Sequence, residues 1–220
     1  PAKLEEMIAH WWEQAEIHGV LPLDDRGIEL FGSRFRKNSP HPEDRRYVYR
    51  PPMSPMPAQA SGGVGGRNVD IVAKVTYKKG DEGVLYASGT QNSGISVFIQ
   101  NGRLLLDYNA FGDHTIIESA GLVPEGDHEL RAVLRRGDGM SGYLEVTING
   151  VSGGSAEVSL YMRMISSVGP SIGFDHGSPI STRYSAPYAY TGELHEIVIE
   201  SGPRRVDTAA AEAQAEMNRQ

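Results

Sequence analysis

The 220 residues, of which 39% are hydrophobic, are enough for one large domain, and the 26 glycines and 13 prolines predict many turns and few long helices. The net charge of −7 excludes nucleic acid as a main partner, because phosphate binding requires clustered Lys and Arg. The absence of cysteine excludes disulfides and thiolate sites, and no apolar run reaches the roughly 20 residues that a membrane helix needs. We therefore expect neither nucleic acid nor a membrane as a partner, and the cellular compartment stays open.

The first predicted element is an amphipathic helix at residues 2–18, within an opening segment at residues 1–20. Gly19 and Pro22 suit its end. Two adjacent indole rings bury a large apolar area, so the apolar face is expected to pack on protein, either on this chain's own sheet or on a catalytic domain outside it. The chain begins inside this helical pattern, and we expect it to be a piece of a longer polypeptide. The packing candidates on the face are Leu4, Ile8, Trp11 and Trp12.

Residues 21–66 are predicted to form an extended segment that wraps the domain. The sequence there is irregular, with a short strand candidate at residues 46–50, a proline-rich run at 51–57 and a glycine-rich loop at 61–66.

Strands and tight turns dominate residues 67–202 and predict an all-β domain. Asn101-Gly102 separates two apolar runs, which is typical of a tight hairpin, and Asn149-Gly150 follows another run. Many short strands with such turns favour a two-sheet antiparallel β-sandwich over an α/β sheet. The tail at residues 203–220 is predicted to be helical or disordered. The predicted strands lie at residues 69–77, 83–89, 95–100, 103–108, 128–135, 143–148, 156–161 and 192–200.

The distal loops contain the candidate ligand residues. Asp175 and His176 lie between two glycines and suit a loop that holds calcium or a sugar, although a turn closed by the aspartate side chain explains them as well. Tyr184 and Tyr188, with Tyr190 beyond them, suggest a surface on which a sugar ring could stack. These residues keep a carbohydrate-binding, lectin-like module open as an alternative function.

A second acidic motif has the pattern E-x-D-x-E at residues 125–129. On a strand its carboxylates would share one face, the arrangement of nucleophile and acid in jelly-roll glycoside hydrolases, with the two carboxyl groups roughly 5–5.5 Å apart. Pro124 and Gly126 instead predict a solvated turn that leads into the next strand. A jelly-roll glycosidase is therefore kept only as a second alternative.

Three short motifs resemble parts of a sulfatase centre. Residues 201–205 fit S-x-P-x-R, Asp24-Asp25 resembles a pair of metal-binding aspartates, and Asp175-His176 resembles the later metal-ligand pair of the same family. A sulfatase nucleophile must begin a helix in a deep pocket, whereas S-x-P-x-R here follows the last predicted strand, and the motifs come in the wrong order. We expect no catalytic, cofactor-binding or metal-ligating residue in this chain.

A longer likeness covers about residues 2–200. Residues 10–26, HWWEQAEIHGVLPLDDR, resemble the end of the catalytic region in large bacterial arylsulfatases, and residues 172–180, IGFDHGSPI, resemble a block in the C-terminal extension of those enzymes. The resemblance implies a concanavalin A-like or laminin G-like jelly-roll fold. It also implies a parent enzyme that hydrolyses sulfate esters with formylglycine and a divalent cation such as calcium, none of which this chain would hold.

The resemblance implies a non-catalytic C-terminal domain of an arylsulfatase-like sulfuric ester hydrolase. Such a domain would pack on the sulfatase catalytic domain and shape substrate access or contacts between copies of the protein. A second copy of the chain and a carbohydrate stay open as further partners.

Overall fold

The computed structural model describes residues 2–17, 45–58, 61–162, 165–166 and 168–202. The chain separates into two compact units, residues 1–42 with 206–220 and residues 43–205. The predicted features at residues 18–44, which include Asp24-Asp25, lie outside the described residues, as does the predicted tail at residues 203–220.

Helix α1 belongs to the first unit and spans Ala2–Ile17, which confirms the predicted N-terminal helix. The apolar stripe on this helix is exposed, with Trp11 at 47% and Trp12 at 53% of full accessibility. The two indole rings pack edge to face with centroids 4.9 Å apart. Within the described ranges, no helix combines the length and the hydropathy needed to cross a membrane.

The second unit is built from β-strands, eleven of them among the described residues. β9 begins five residues earlier than predicted, and β6 and β10 were not predicted at all. β7 already begins at Gly126, so the predicted turn at residues 125–129 is mostly strand. The strands are β1 (Arg45–Tyr49), β2 (Val69–Tyr77), β3 (Gly83–Thr90), β4 (Ser93–Gln100), β5 (Arg103–Ala110), β6 (Asp113–Glu118), β7 (Gly126–Arg136), β8 (Gly142–Ile148), β9 (Val151–Val158), β10 (Pro170–Ile172) and β11 (Glu193–Ser201).

The strands form two antiparallel sheets, which confirms the predicted β-sandwich. One sheet has six strands in the order β1-β11-β2-β7-β8-β9, and the other has five in the order β10-β3-β4-β5-β6. The predicted hairpins are present, since Gln100 pairs with Arg103 across Asn101-Gly102 and Ile148 pairs with Val151 across Asn149-Gly150.

The core lies between the two sheets. Alternate residues of each strand point inward, so Ile71, Leu106, Leu130 and Ile197 are all buried in one continuous apolar cluster. Burial of each such side chain contributes about 1.5–3 kcal/mol.

A second, smaller apolar cluster lies on the outer face of the five-stranded sheet. There Val84, Phe98 and Leu105 point away from the core, yet each is at most 1% exposed. They are covered by residues 173–192, the connection between β10 and β11, which contributes Ile180 and two tyrosines. We call residues 173–192 the covering segment. It carries all four of the ligand candidates predicted in the distal loops.

Candidate functional site

Asp175 closes the first turn of the covering segment. Its Oδ2 accepts hydrogen bonds from the backbone N–H of Ile180 at 2.9 Å and from the hydroxyl of Tyr184 at 2.7 Å. The side chain is only 1% exposed. Burial raises the pKa of Asp175, and the two hydrogen bonds offset part of this rise. The carboxylate therefore stabilises the conformation of the covering segment.

Tyr184 and Tyr188 lie side by side on the sheet. Their rings stack with centroids 5.0 Å apart and 18° between their planes. Both rings meet Phe98 edge-on, at 5.1 Å and 6.4 Å. The pair is half-buried, so part of this aromatic surface faces solvent.

The two tyrosine hydroxyls have different surroundings. Tyr184 Oη lies 2.7 Å from Ser96 Oγ in addition to its bond with Asp175, and burial together with that carboxylate raises the pKa of Tyr184. Tyr188 Oη donates to Glu82 Oε2 at 3.0 Å, and burial and then this glutamate raise the pKa of Tyr188 to about 12. Both phenols are therefore neutral hydrogen-bonding groups at neutral pH.

Polar side chains lie near the tyrosine pair. Glu82 also accepts the backbone N–H of Asn101 at 2.7 Å, which orients its carboxylate. Gln100 donates its amide to the carbonyl of Arg183 at 3.0 Å, and Arg183 forms an ion pair of 2.6 Å with Glu118. An aromatic face with a carboxylate and an amide beside it can contact both the apolar and the hydroxyl-bearing parts of a sugar ring.

His176 is directed elsewhere. Its Nδ1 lies 3.1 Å from Ser171 Oγ, which itself donates to the carbonyl of Phe174. The structure therefore brings Asp175, Tyr184 and Tyr188 together, while His176 joins a neighbouring set of contacts. In the described part of the chain, no group of three or more His, Cys, Asp and Glu side chains is arranged to hold a metal ion.

A polar layer that sequence reasoning missed lies beneath the covering segment. It consists of Ser96, Asp107 and Asn109, each fully buried on the outer face of the five-stranded sheet. Asn109 Nδ2 donates to the carbonyls of Gln91 at 2.8 Å and Ile180 at 3.3 Å. Burial raises the pKa of Asp107, and hydrogen bonds from Ser181 and His114 oppose the rise. The layer ties the segment to the sheet.

The residues of the other predicted motifs lie apart from this site. Glu125 accepts the backbone N–H of Lys79 at 3.1 Å just before β7, and Glu129 pairs with Arg131 at 2.8 Å on the outer face of the six-stranded sheet. Ser201 lies in β11, with its hydroxyl 3.5 Å from the carbonyl of Arg45. The rest of S-x-P-x-R beyond Gly202 is outside the described residues.

Comparison with known proteins identifies the class of fold. No family model and no curated protein sequence matches the chain. Among solved structures, domains LG4-5 of the mouse laminin α1 chain match 71% of this chain at 17% identity with a TM-score of 0.50. The NanB sialidase of Streptococcus pneumoniae matches 75% at 15% identity with a TM-score of 0.51. The matched regions are 42% and 27% of those two chains.

The fold is thus a β-sandwich of the laminin G-like, concanavalin A-like type. At these identities the likeness concerns the fold alone. Neither structure is a sulfatase, so the resemblance to arylsulfatases stays a prediction.

Proposed function

We propose that this chain is a non-catalytic carbohydrate-binding module that uses the Tyr184–Tyr188 pair as its stacking surface. The observation that carries the proposal is the half-exposed ring of Tyr188, held at 5.0 Å from Tyr184 and bonded through its hydroxyl to Glu82. Support also comes from the β-sandwich, which the chain shares with part of a sialidase.

Three contacts hold the Tyr188 ring in place. Tyr188 is held by Glu82, by the carbonyl of Ile99 at 3.3 Å and by the edge of Phe98. A ring fixed in this way loses little conformational freedom on binding, so more of the stacking energy remains for the ligand. Glu82 and Gln100 supply the polar partners that sugar hydroxyl groups require.

Glycan-array screening followed by calorimetry on the full chain tests this proposal. The unaltered chain is expected to bind at least one glycan class, and Tyr188→Ala is expected to weaken that binding by on the order of tenfold or more. The matched control is Tyr143→Ala, because Tyr143 is 38% exposed on the six-stranded sheet. The proposal would be refuted if the unaltered chain bound no glycan on the array, or if Tyr188→Ala bound as tightly as the unaltered chain.

A second function, compatible with the first, is that of accessory domain to an arylsulfatase-like enzyme. It is supported by the sequence resemblance and by the exposed apolar stripe of α1, where Leu4 is 62% exposed beside the two indoles. A face of this kind suits packing on another protein surface.

Two measurements test the accessory role. The full chain, supplied with calcium or magnesium, is expected to show no turnover of an aryl sulfate ester. A sulfatase catalytic domain provided in trans is expected to bind the chain, and Trp11→Ser with Trp12→Ser to weaken that binding while Lys3→Ser leaves it unchanged. Turnover of the ester by the chain contradicts the role. Binding of the catalytic domain that is unchanged by the two tryptophan substitutions also contradicts it.

A further inference from the structure

One hairpin turn of the sandwich has an unusual residue at its first position, compared with two other turns of the same geometry. The turns at Asn101-Gly102, Asn149-Gly150 and Phe111-Gly112 are all two-residue loops with positive φ at both residues. This geometry favours Asn at the first position, whereas Phe111 adopts a φ of 58° there. A phenylalanine in this conformation costs backbone energy, and such outliers cluster at functional positions.

Phe111 is also exposed and borders a cavity. It is 73% accessible, and Met140 on the β7–β8 loop is 64% accessible. Between them and the chain after β9 lies a cavity of about 300 Å³, lined by Phe111, Arg136, Met140, Leu160, Tyr161 and Met162. Phenylalanine, tyrosine, methionine and arginine are the residues enriched at the cores of protein–protein contacts.

Several polar atoms in the cavity walls have partners within the chain. Tyr161 Oη donates to the carbonyl of Arg67 at 2.7 Å, and the backbone N–H of Met162 donates to Tyr108 Oη at 2.6 Å. The backbone N–H of Tyr161 donates to the carbonyl of Met140. These bonds fix the walls, so the cavity presents a preformed, mainly apolar surface.

We propose that this end of the sandwich is the contact surface through which two copies of the chain associate. A two-fold contact requires that one patch be complementary to itself, and here a protruding ring and an apolar cavity lie next to each other. The Phe111 ring of each copy would enter the cavity of the other. Partly buried aromatic pairs of this kind gain from offset or edge-to-face contact.

The charges of the patch fit the same arrangement. The exposed side chain of Asp113 lies two residues beyond the protruding ring, and Arg136 lines the cavity. If Phe111 enters the cavity of a second copy, we expect Asp113 to face the partner subunit's Arg136, which also has a contact within its own chain, and the reverse contact to form at the same time. Opposite charges therefore meet locally although the whole chain carries a net charge of −7.

Sedimentation equilibrium of the full chain over a concentration series tests the proposal, which is independent of carbohydrate binding. The unaltered chain is expected to dimerise, and Phe111→Asn to raise the dissociation constant at least tenfold, as loss of a central aromatic contact does. Because Phe111→Asn gives this turn the residue found in its two counterparts, the thermal midpoint of the monomer is expected to stay equal or to rise. The control is Leu122→Asn, at an exposed apolar residue in the β6–β7 connection.

A charge exchange makes the test specific to this surface. Asp113→Arg and Arg136→Asp alone are each expected to weaken the dimer several-fold, and the two together to restore most of it. A chain that stays monomeric up to about 1 mM overturns the proposal. A dimer that is indifferent to Phe111→Asn, as one formed through α1 would be, also overturns it.

Discussion

His114 and Asp107 form a paired contact between neighbouring strands, with Nδ1 of the histidine 3.0 Å from each oxygen of the carboxylate. Asp107 is fully buried, whereas the side chain of His114 retains 18% of its accessibility. The pair lies at the boundary between the five-stranded sheet and the covering segment, where Ser181 also bonds to Asp107.

The titration of Asp107 should be visible in the stability of the protein. Burial raises the pKa of Asp107 above its ordinary 3.8, so the folded state holds this proton to higher pH than the unfolded state does. Its contribution to stability is complete below pH 3.8 and is lost as pH rises through the folded pKa. The free energy of unfolding of the unaltered chain, minus that of Asp107→Asn, is therefore expected to fall as pH rises above 3.8.

Urea denaturation at a series of pH values measures this difference. The control is Glu157→Gln on β9, which removes an exposed carboxyl from the other sheet. A difference for Asp107→Asn that stays constant, or that grows with pH, would show that burial does not dominate at Asp107.

Removal of one hydroxyl should loosen the covering segment. Tyr184→Phe deletes the group that bonds to both Asp175 and Ser96 and leaves a buried carboxylate with one donor fewer. The expected loss in the free energy of unfolding is about 1–3 kcal/mol. Chemical denaturation checks it, with Tyr143→Phe on the exposed sheet face as the control. Equal losses in the two variants would mean that the Asp175 contact contributes nothing.

A comparison of two glycines distinguishes the energetic cost of backbone strain from that of a steric clash. Gly83 has a φ of +124°, and a methyl group there would lie 2.5 Å from the carbonyl oxygen of Ala189 in the covering segment. Gly80 has a φ of +96° with nothing within 4 Å. Gly80→Ala is expected to cost about 1–3 kcal/mol from strain alone, and Gly83→Ala to cost more because it displaces the segment.

Thermal or urea unfolding of both variants measures the comparison, and hydrogen exchange locates the disturbance. The backbone N–H of Val84, which donates to the carbonyl of Tyr188 at 2.8 Å, should lose protection in Gly83→Ala and keep it in Gly80→Ala. If Gly80→Ala were the less stable variant, the covering segment would accommodate a methyl group at residue 83 at little cost.

The long apolar runs and the two Asn-Gly turns allowed most of the sandwich to be predicted. β6 was missed because its turn is Phe111-Gly112 and the strand begins with the polar residues Asp113 and His114. β10 was missed because it has only three residues and begins with a proline. Neither the hydrophobic period nor the usual turn residues mark these two elements.

The candidate site was predictable in its residue types but not in its contacts. Tyr184 and Tyr188 were identified as aromatic residues of a distal loop, yet the bond from Tyr188 to Glu82 joins residues 106 positions apart. Asp107 and Asn109 occupy alternate positions of β5, on the same face as the apolar Leu105. They are buried by the covering segment, which lies more than sixty residues further along the chain. The sequence around Asp107 and Asn109 therefore could not predict their burial.

In the proposed function, the outer side of the covering segment would contact the ligand and its inner side would be held by the sheet. Its inner side is fastened to the sheet through Ile180, the hydroxyl of Tyr184 and the polar layer, while many residues on its outer side are exposed. Substitutions on that outer side are therefore expected to leave the stability of the sandwich largely unchanged. If the proposed function holds, ligand specificity and the stability of the sandwich depend on opposite sides of the same twenty residues.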